Sequence, residues 1–438
     1  MNGPEASAQS GMEKHPGFVR YVGILTGGAF LYFLIFFLCS RYPEFFGLRA
    51  SLLFPAADRY MDFFNLVHLA RTLNPYAEAQ ATASSPFFYL LCGILNKVVP
   101  GLSGRPHDIR FSLAGKMAFA VYALITLGFY VAAFNRLFRR FAVTHGYRRW
   151  FYAAFLFSYP VVFSIDRGNY SLLAGGIVAL FLAQFIGRRT FSAAMLLAVA
   201  IALKYYYAPF LIVFIHRRKY RDAAACAVAV VVILFVSLSL CQGGFFPNYR
   251  ALVENIARYN LRGNGGVAES LGYNTSIYTP FDTVESMIHS YWNMGTDVLV
   301  QLRGRVRYLA YFILAIVVFI NLVPRARQHD RFLLLCSGII LFPVQSNDYI
   351  IPVILFPSLY WVLSEPQDRV MPWLAGLYIM CKRYVPVYYQ DEGPSVTAQS
   401  FLNPVLLLGL ISYVLWTRRH ELCGSLQEIR VKLLGARK

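Results

Sequence analysis

Apolar runs long enough to cross, or nearly cross, a bilayer recur at about 18–40, 112–134, 151–165, 171–187, 222–241, 307–323, 332–344, 349–364, 371–388 and 401–416. Each predicts a membrane helix. The stretch 191–216 is different. It lies between the basic clusters Arg188/Arg189 and Arg217/Arg218/Lys219. "KYYYAP" interrupts it, with Lys204 near its middle and Pro209 after it. One span of ~20 residues fits there, and so does a hairpin of two short helices.

The polar positions between the runs choose between these. With the N-terminus inside, 135–150, 188–189, 217–221, 325–331 and 365–369 fall inside and hold 15 Lys and Arg. The short turns 166–170, 204–207, 345–349 and 389–400 then fall outside and hold two. Basic loops mark the cytoplasmic side. The bias survives only if 191–216 enters and returns, so it reads as a broken pair, a form that persists where backbone faces protein or a water-filled cavity. The expected fold is all-α and polytopic, with about 12 membrane-crossing segments. Tail 1–17 and basic tail 417–438 are cytoplasmic, and 18–416 form the membrane domain. The first apolar run reads as a span rather than a cleaved signal.

Two long outer loops remain, 41–111 and 242–306. Both are too rich in Pro, Gly, Asn and charge to cross, and too long to be simple connectors. In the first, Phe63, Leu66, Val67, Leu69, Ala70 and Leu73 recur at helical spacing until Asn74-Pro75. "SSPFFYLLCGILNKVVP" (84–100) is apolar but short, and reads as an interface helix or a re-entrant piece. No internal repeat is visible.

Composition agrees with a membrane protein. The chain is 57% hydrophobic and 14% charged, against roughly 25% charged in soluble domains. The net charge of +19 belongs to loops that touch anionic headgroups, and nucleic-acid binding is not expected. The seven cysteines, at 39, 92, 226, 241, 336, 381 and 423, are scattered without a CxxC or Cys/His cluster. Neither a metal nor a redox site is expected, and no cofactor.

Candidate chemistry begins in "DRYMDFFNLVHLARTLNPY" (58–76). Asp58 and Asp62 stand four apart and share a face if helical. A carboxylate at the outer mouth of the bundle, beside an apolar cavity, can take a proton from a bound hydroxyl. Asp58 can equally pair with Arg59 or Arg71, or cap a helix from Met61.

Four segments together resemble integral-membrane GT-C glycosyltransferases, nearest to glycosyltransferase family 87. The first is Asp58-x3-Asp62-Phe-Phe-Asn with the following "NPY". The second is "DRGNYSLLAGG…RRTF…AIALKYYYAPFLIVFIHRRKYRDA" (166–223), the third "SLGYNTSIYTPF" (270–281), and the fourth "PVQSNDYIIPVILFPSLYW" (343–361). They cover most of the chain in the family's order. Gly168-Asn169 lacks the family's Gln, Asn347-Asp348-Tyr349 replaces its paired His, and Ser85-Pro86-Phe87 replaces "YPP". These departures imply a sugar or acceptor other than those of the family's mannosyltransferases.

The resemblance implies a polyprenyl-phosphate-sugar donor, a glycolipid or glycan acceptor, and transfer with inversion on the periplasmic face of a bacterial inner membrane. Carried over, Asp62 is the general base and Asp58 its alternate. The leaving phosphate needs cations or N–H groups. Lys204, basic at membrane depth, is one candidate, although it can also snorkel to headgroups. Arg383 and Arg167 are others, although Arg167 can simply pair with Asp166. Asn169, Tyr273, Asn274, His289, Asn347 and Asp348 are candidates for sugar or acceptor hydroxyls. Tyr205–Tyr207 and Phe63/Phe64 can line an isoprenoid channel or pack the bundle. A transporter or flippase of lipid-linked glycans, or a polymerase or ligase, stays open as an alternative. The first would be expected to show a repeated half, and the second to carry its catalytic residues in late loops.

Overall fold

A computed structural model describes residues 15–42, 53, 58–74, 76, 84–102, 104–265, 274–292, 297–323, 326–343, 346–390, 393–425 and 427. In chain order the helices are α1 (Pro16–Arg41), α2 (Met61–Leu69), α3 (Pro86–Val98), α4 (Pro106–Phe111), α5 (Leu113–Arg140), α6 (His145–Leu156), α7 (Tyr159–Arg167), α8 (Ser171–Ile186) and α9 (Thr190–Leu203). A 3-10 stretch, Tyr205–Leu211, leads to α10 (Ile212–His216), α11 (Tyr220–Ser239), α12 (Phe245–Gly265), α13 (Thr279–Trp292), α14 (Asp297–Leu322) and α15 (Gln328–Leu341). After a second 3-10 stretch, Asp348–Ile354, come α16 (Leu355–Ser364), α17 (Met371–Ile379), strands β1 (Pro386–Gln390) and β2 (Gly393–Thr397), and α18 (Ala398–Thr417).

Among the described residues five helices are long and apolar enough to cross a membrane: α1, α5, α11, α18 and the Gly304–Leu322 part of α14. At 1.5 Å per residue, ~20 residues match the ~30 Å hydrocarbon core. Their outer faces are apolar. Val228, Val231, Val232 and Phe235 are exposed on α11, and Phe30 and Phe37 on α1. Such continuous apolar surface is stable against lipid rather than water.

Among the shorter apolar helices, α8 lies inside. Every residue of α8 but Leu180 is buried, and α8 packs on α5 and α9. Glycine permits the approach: a Cβ on Gly175 would lie 2.5 Å from the Tyr130 hydroxyl oxygen. Small residues at a helix crossing let backbones close up in this way.

Two apolar runs are not continuous helices. The run at 151–165 divides at Ser158, where Pro160 opens α7. The run at 371–388 holds only the nine-residue α17, after which the chain forms the antiparallel β1–β2 hairpin. The cause is Lys382. Its Nζ donates to the carbonyls of Leu377 (2.7 Å), Tyr378 (3.1 Å) and Met380 (2.7 Å), the acceptors that a continuing helix would have used. In the stretch 191–216 the helix breaks at Lys204, whose backbone is extended at φ −146°, ψ 104°. The second long loop carries α12 and α13, and α14 spans Asp297–Leu322 with no proline inside it.

The segments that the charge pattern groups on one side do meet. Gly17 N–H donates to the Pro366 carbonyl (3.0 Å), and Arg217 donates to Gln328 (3.1 Å). Arg418 joins Asp330 (3.1 Å) to Glu365 (2.8 Å), and Arg327 also binds Glu365. Asp368 accepts from Trp361 Nε1 (3.0 Å) and from the Tyr413 hydroxyl (2.9 Å).

Candidate active site

The tetrapeptide Asp166-Arg167-Gly168-Asn169, at the end of α7, clamps the start of α2. Arg59 Nε lies 3.3 Å from Asp166 Oδ1, and Arg167 Nε lies 2.8 Å from Asp62 Oδ1. Asn169 Nδ2 donates to the other carboxylate oxygen of Asp62 at 2.7 Å. Two acid–base pairs therefore cross between the segments. The backbone joins them too: Tyr60 N–H donates to the Asp166 carbonyl at 2.7 Å. Gly168 has φ 72°, and a Cβ there would lie 3.0 Å from Tyr60 Cα and carbonyl oxygen and 3.2 Å from Phe63 Cβ. Tyr60 itself has φ 61° without being glycine, a left-handed conformation that costs roughly 1–2 kcal/mol. The Asp166 contact and the packed Gly168 hold it there. Asn169 is fixed in turn, its Oδ1 accepting from Ser171 N–H (2.9 Å) and its carbonyl from the Tyr122 hydroxyl (3.1 Å).

The two loop acids differ. Asp62 sits in the first turn of α2, where a carboxylate suits the helix N-terminus. Asp58 is exposed, and its carbonyl, not its carboxylate, accepts from Met61 N–H (3.2 Å). Phe63 and Phe64 are buried, with Phe63 packed on Tyr122 at 5.0 Å and on Phe119 at 5.5 Å between ring centres. They are core residues that fix α2. Tyr207 is buried as well, and Tyr205 is exposed.

Lys204, at the helix break, lies over the Tyr170 ring with Nζ 3.8 Å from its centre. Phe88 stacks on the same tyrosine at 4.5 Å and 13°. Ser85 locks this contact. Its Oγ donates to the Ala202 carbonyl (2.5 Å), and its N–H donates to the Tyr170 hydroxyl (3.4 Å). The N-terminus of α3 is thereby docked on the break. The Lys204 cation thus rests on an aromatic ring, with no ion pair to a carboxylate among the described residues. Tyr170, whose ring carries Lys204, directly follows Asn169, which holds Asp62, so one short segment contacts both groups.

A second polar group lies at the other end of α7. Asp348, fully buried, accepts at Oδ2 from the Tyr159 hydroxyl (2.7 Å) and from Gln399 Nε2 (2.5 Å). Buried Arg383 interacts with this carboxylate electrostatically and lies 5.1 Å from the Phe163 ring centre. It sits beyond α17 rather than at a helix end. Asn274 and Asn347 pair as an isolated bridge. Asn274 Oδ1 accepts from Ser276 N–H (3.1 Å) and Ser346 N–H (2.8 Å), while Asn347 donates to the Tyr349 hydroxyl (2.5 Å).

Of the residues expected from sequence, Asp62, Arg167, Asn169 and Lys204 come together in the first group, and Asn274, Asn347, Asp348 and Arg383 gather in the second. Tyr273 lies outside the described residues, and of His289 only its place in α13 is described. Arg167 pairs with Asp62, whereas Asp166 takes Arg59. Sequence reasoning missed Tyr159, Gln399 and Tyr122. Nothing in the sequence marks Gln399, which stands in a stretch read as an outer turn. Among the described residues no group of three His, Cys, Asp or Glu side chains could hold a metal ion.

The model of glycosyltransferase family 87 matches residues 109–344 of the 438, just over half of the chain. The chain belongs to glycosyltransferase family 87. No curated protein matches it. The region matched to family 87 holds the Asp166–Asn169 clamp, the Lys204 break and Asn274, while Asp62 precedes it and Asp348 and Gln399 follow it. The protein is thus a membrane glycosyltransferase of family 87, and its two polar groups combine a family core with flanking segments.

Proposed function

We propose that the enzyme moves a sugar from a polyprenyl-phosphate donor to a glycolipid or glycan hydroxyl, with inversion, on the outer face of a bacterial inner membrane. About 12 crossings, counting the shorter apolar helices, would bring both long loops to that face. Asp62 takes the acceptor proton as the hydroxyl attacks the anomeric carbon. The bond from that carbon to the phosphate oxygen breaks, and the lipid phosphate leaves. Lys204 and Arg167 neutralise the phosphate, with Arg383 as a further cation. Asn169, Asn274, Asn347 and Asp348, with Tyr273 and His289 from the second loop, hold sugar and acceptor hydroxyls.

One observation carries this reading. Asn169, which with Arg167 fixes both oxygens of the Asp62 carboxylate, is followed directly by Tyr170, whose ring carries Lys204, a lysine with no ion pair to a carboxylate among the described residues. A site that seats a base beside a cation lacking a carboxylate is suited to an anionic leaving group. The purified enzyme should release free polyprenyl phosphate from a radiolabelled polyprenyl-phosphate sugar only when acceptor is present. Failure with every such sugar, alongside flipping of a labelled lipid-linked glycan in vesicles, would replace this reading with transport. Sidedness is tested with a Cys423→Ser background, since Cys423 is the exposed thiol, carrying Asn264→Cys. An impermeant maleimide should label it in right-side-out vesicles without lysis.

A further inference from the structure

The Asp62 carboxylate, as it stands, is engaged at both oxygens: Arg167 Nε at 2.8 Å on one and Asn169 Nδ2 at 2.7 Å on the other. A carboxylate so occupied has its best lone pairs directed at donors and away from an incoming hydroxyl. Asn169 cannot yield, because its own Oδ1 and carbonyl are bonded to Ser171 and Tyr122. Arg167 can. It is the last residue of α7, its side chain is 26% exposed, and a guanidinium offers five donors on a long stem.

Resting on the donor proposed above, we infer that Arg167 is exchanged between Asp62 and the donor phosphate, so that binding the donor frees the base. The charges of the reaction favour such an exchange. Before transfer the phosphodiester carries one negative charge and Asp62 another. When the hydroxyl proton passes to Asp62, that carboxyl becomes neutral. When the bond to the anomeric carbon breaks, its electron pair stays on the phosphate, which becomes a monoester with about −1.5 to −2 at pH 7. Negative charge thus leaves the carboxylate and appears on the phosphate. One arginine within reach of both follows it, and charge-assisted bidentate pairing to phosphate suits the guanidinium. Lys204, already turned toward aromatic rings, supplies the standing charge, and Arg167 the mobile one.

The exchange predicts an antagonism that can be read without turnover. Binding of farnesyl phosphate, with farnesol as the uncharged control, is measured by calorimetry on the full chain in detergent. Arg167→Gln should weaken farnesyl phosphate binding about 10- to 100-fold, as loss of a charge-assisted contact does. Asp62→Asn should tighten it several-fold, because Arg167 no longer has a carboxylate to leave. In the Arg167→Gln background the Asp62→Asn gain should vanish, since removing both partners isolates their coupling. Asp62→Ser is the second variant if Asp62→Asn fails to fold. If the Asp62 gain persists without Arg167, simple repulsion between carboxylate and phosphate explains it and the exchange is wrong. If Asp62→Asn gives no gain in a folded variant, the exchange is equally wrong, although the phosphate-lipid reading survives. If the unmodified enzyme binds farnesyl phosphate no better than farnesol, the donor reading itself fails.

Discussion

Asn169 Nδ2 donates to Asp62 Oδ2 at 2.7 Å, across 107 residues of sequence. This contact, with that of Arg167, distinguishes Asp62 from Asp58, which is exposed and makes no such contact among the described residues. General-base assistance is worth typically 10²–10⁴ in rate. Asp62→Asn keeps the shape but cannot accept the proton, so turnover should drop by about that factor while donor still binds. Asp58→Asn should lose less than tenfold. Steady-state kinetics on both variants decide: a dead Asp58→Asn beside an active Asp62→Asn would assign the base to the wrong carboxylate.

The clamp depends on Gly168. At φ 72°, with Tyr60 and Phe63 within 3.0–3.2 Å of any Cβ, alanine meets both backbone strain and a clash. Gly168→Ala should cost roughly 1–3 kcal/mol of stability. It should also lower turnover, because α2 is displaced and Asp62 with it, and a small misplacement at a reacting group can cost about 10²-fold. Gly187→Ala, where a Cβ would meet only Ala183 and Gln184 carbonyls at 3.4 Å, is the control and should leave kcat unchanged.

The helices α1, α5, α11 and α18 were legible because apolar length is a one-dimensional signal. So was the helix break at Lys204, because "KYYYAP" puts charge and proline in a run that otherwise continues. The end of α17 was not. It follows from Lys382 folding back on three carbonyls, and composition does not reveal where a lysine turns. The helices of 242–306 were hidden for a related reason: a polar stretch can be helical if its backbone bonds close. In the site, the acid Asp62 and the cations could be chosen by type and place. The crossed pairing of Arg59 with Asp166 and Arg167 with Asp62 could not, since adjacent residues Asp166 and Arg167 look like partners until the chain is folded. Gln399 and Tyr159 meet Asp348 from 51 and 189 residues away, a distance over which no local pattern speaks.

Lys204 should carry donor affinity. Lys204→Ala removes the cation from the Tyr170 ring and is expected to raise the donor KM or lower kcat about 10- to 100-fold. Lys204→Arg should recover part of the loss, since the charge stays although the ring contact changes shape. Equal, unimpaired kinetics for both, in folded protein, would return Lys204 to a headgroup role.

The Asp348 group should be a unit. Gln399→Leu removes the donor at 2.5 Å and Tyr159→Phe the one at 2.7 Å, both on Oδ2. Each should cost about 1–3 kcal/mol, because the deprived oxygen is buried. The double variant should cost clearly more or less than the sum, since neighbours in one network do not add. Thermal unfolding in detergent measures all three. Strict additivity would show that the two donors act on Asp348 independently.

The ion cluster at the opposite end gives a pH dependence of defined sign. Glu365 is pulled from its ordinary 4.5 to about 2, first by the hydrogen bond with His329 and further by Arg418 and Arg327, against desolvation. Its folded value is depressed, so its contribution is complete above its unfolded value and disappears as pH falls through about 2. Asp330, also bound by Arg418, is pushed upward by burial, so the sign is opposite there: the folded state takes up its proton first on acidification. Glu365→Gln should therefore lower Tm most near neutral pH, by an amount equivalent to roughly 1.5–3 kcal/mol. The difference from the unmodified enzyme should shrink steadily below pH ~4. Asp330→Asn should show the reverse trend, its deficit growing no larger as pH rises because the amide escapes the desolvation penalty. Thermal melts across that pH range read both variants at once. A Glu365→Gln deficit that is constant with pH would mean that the loop 365–368 is held by packing and by the Asp368 contacts with Trp361 of α16 and Tyr413 of α18, and not by the charge on Glu365.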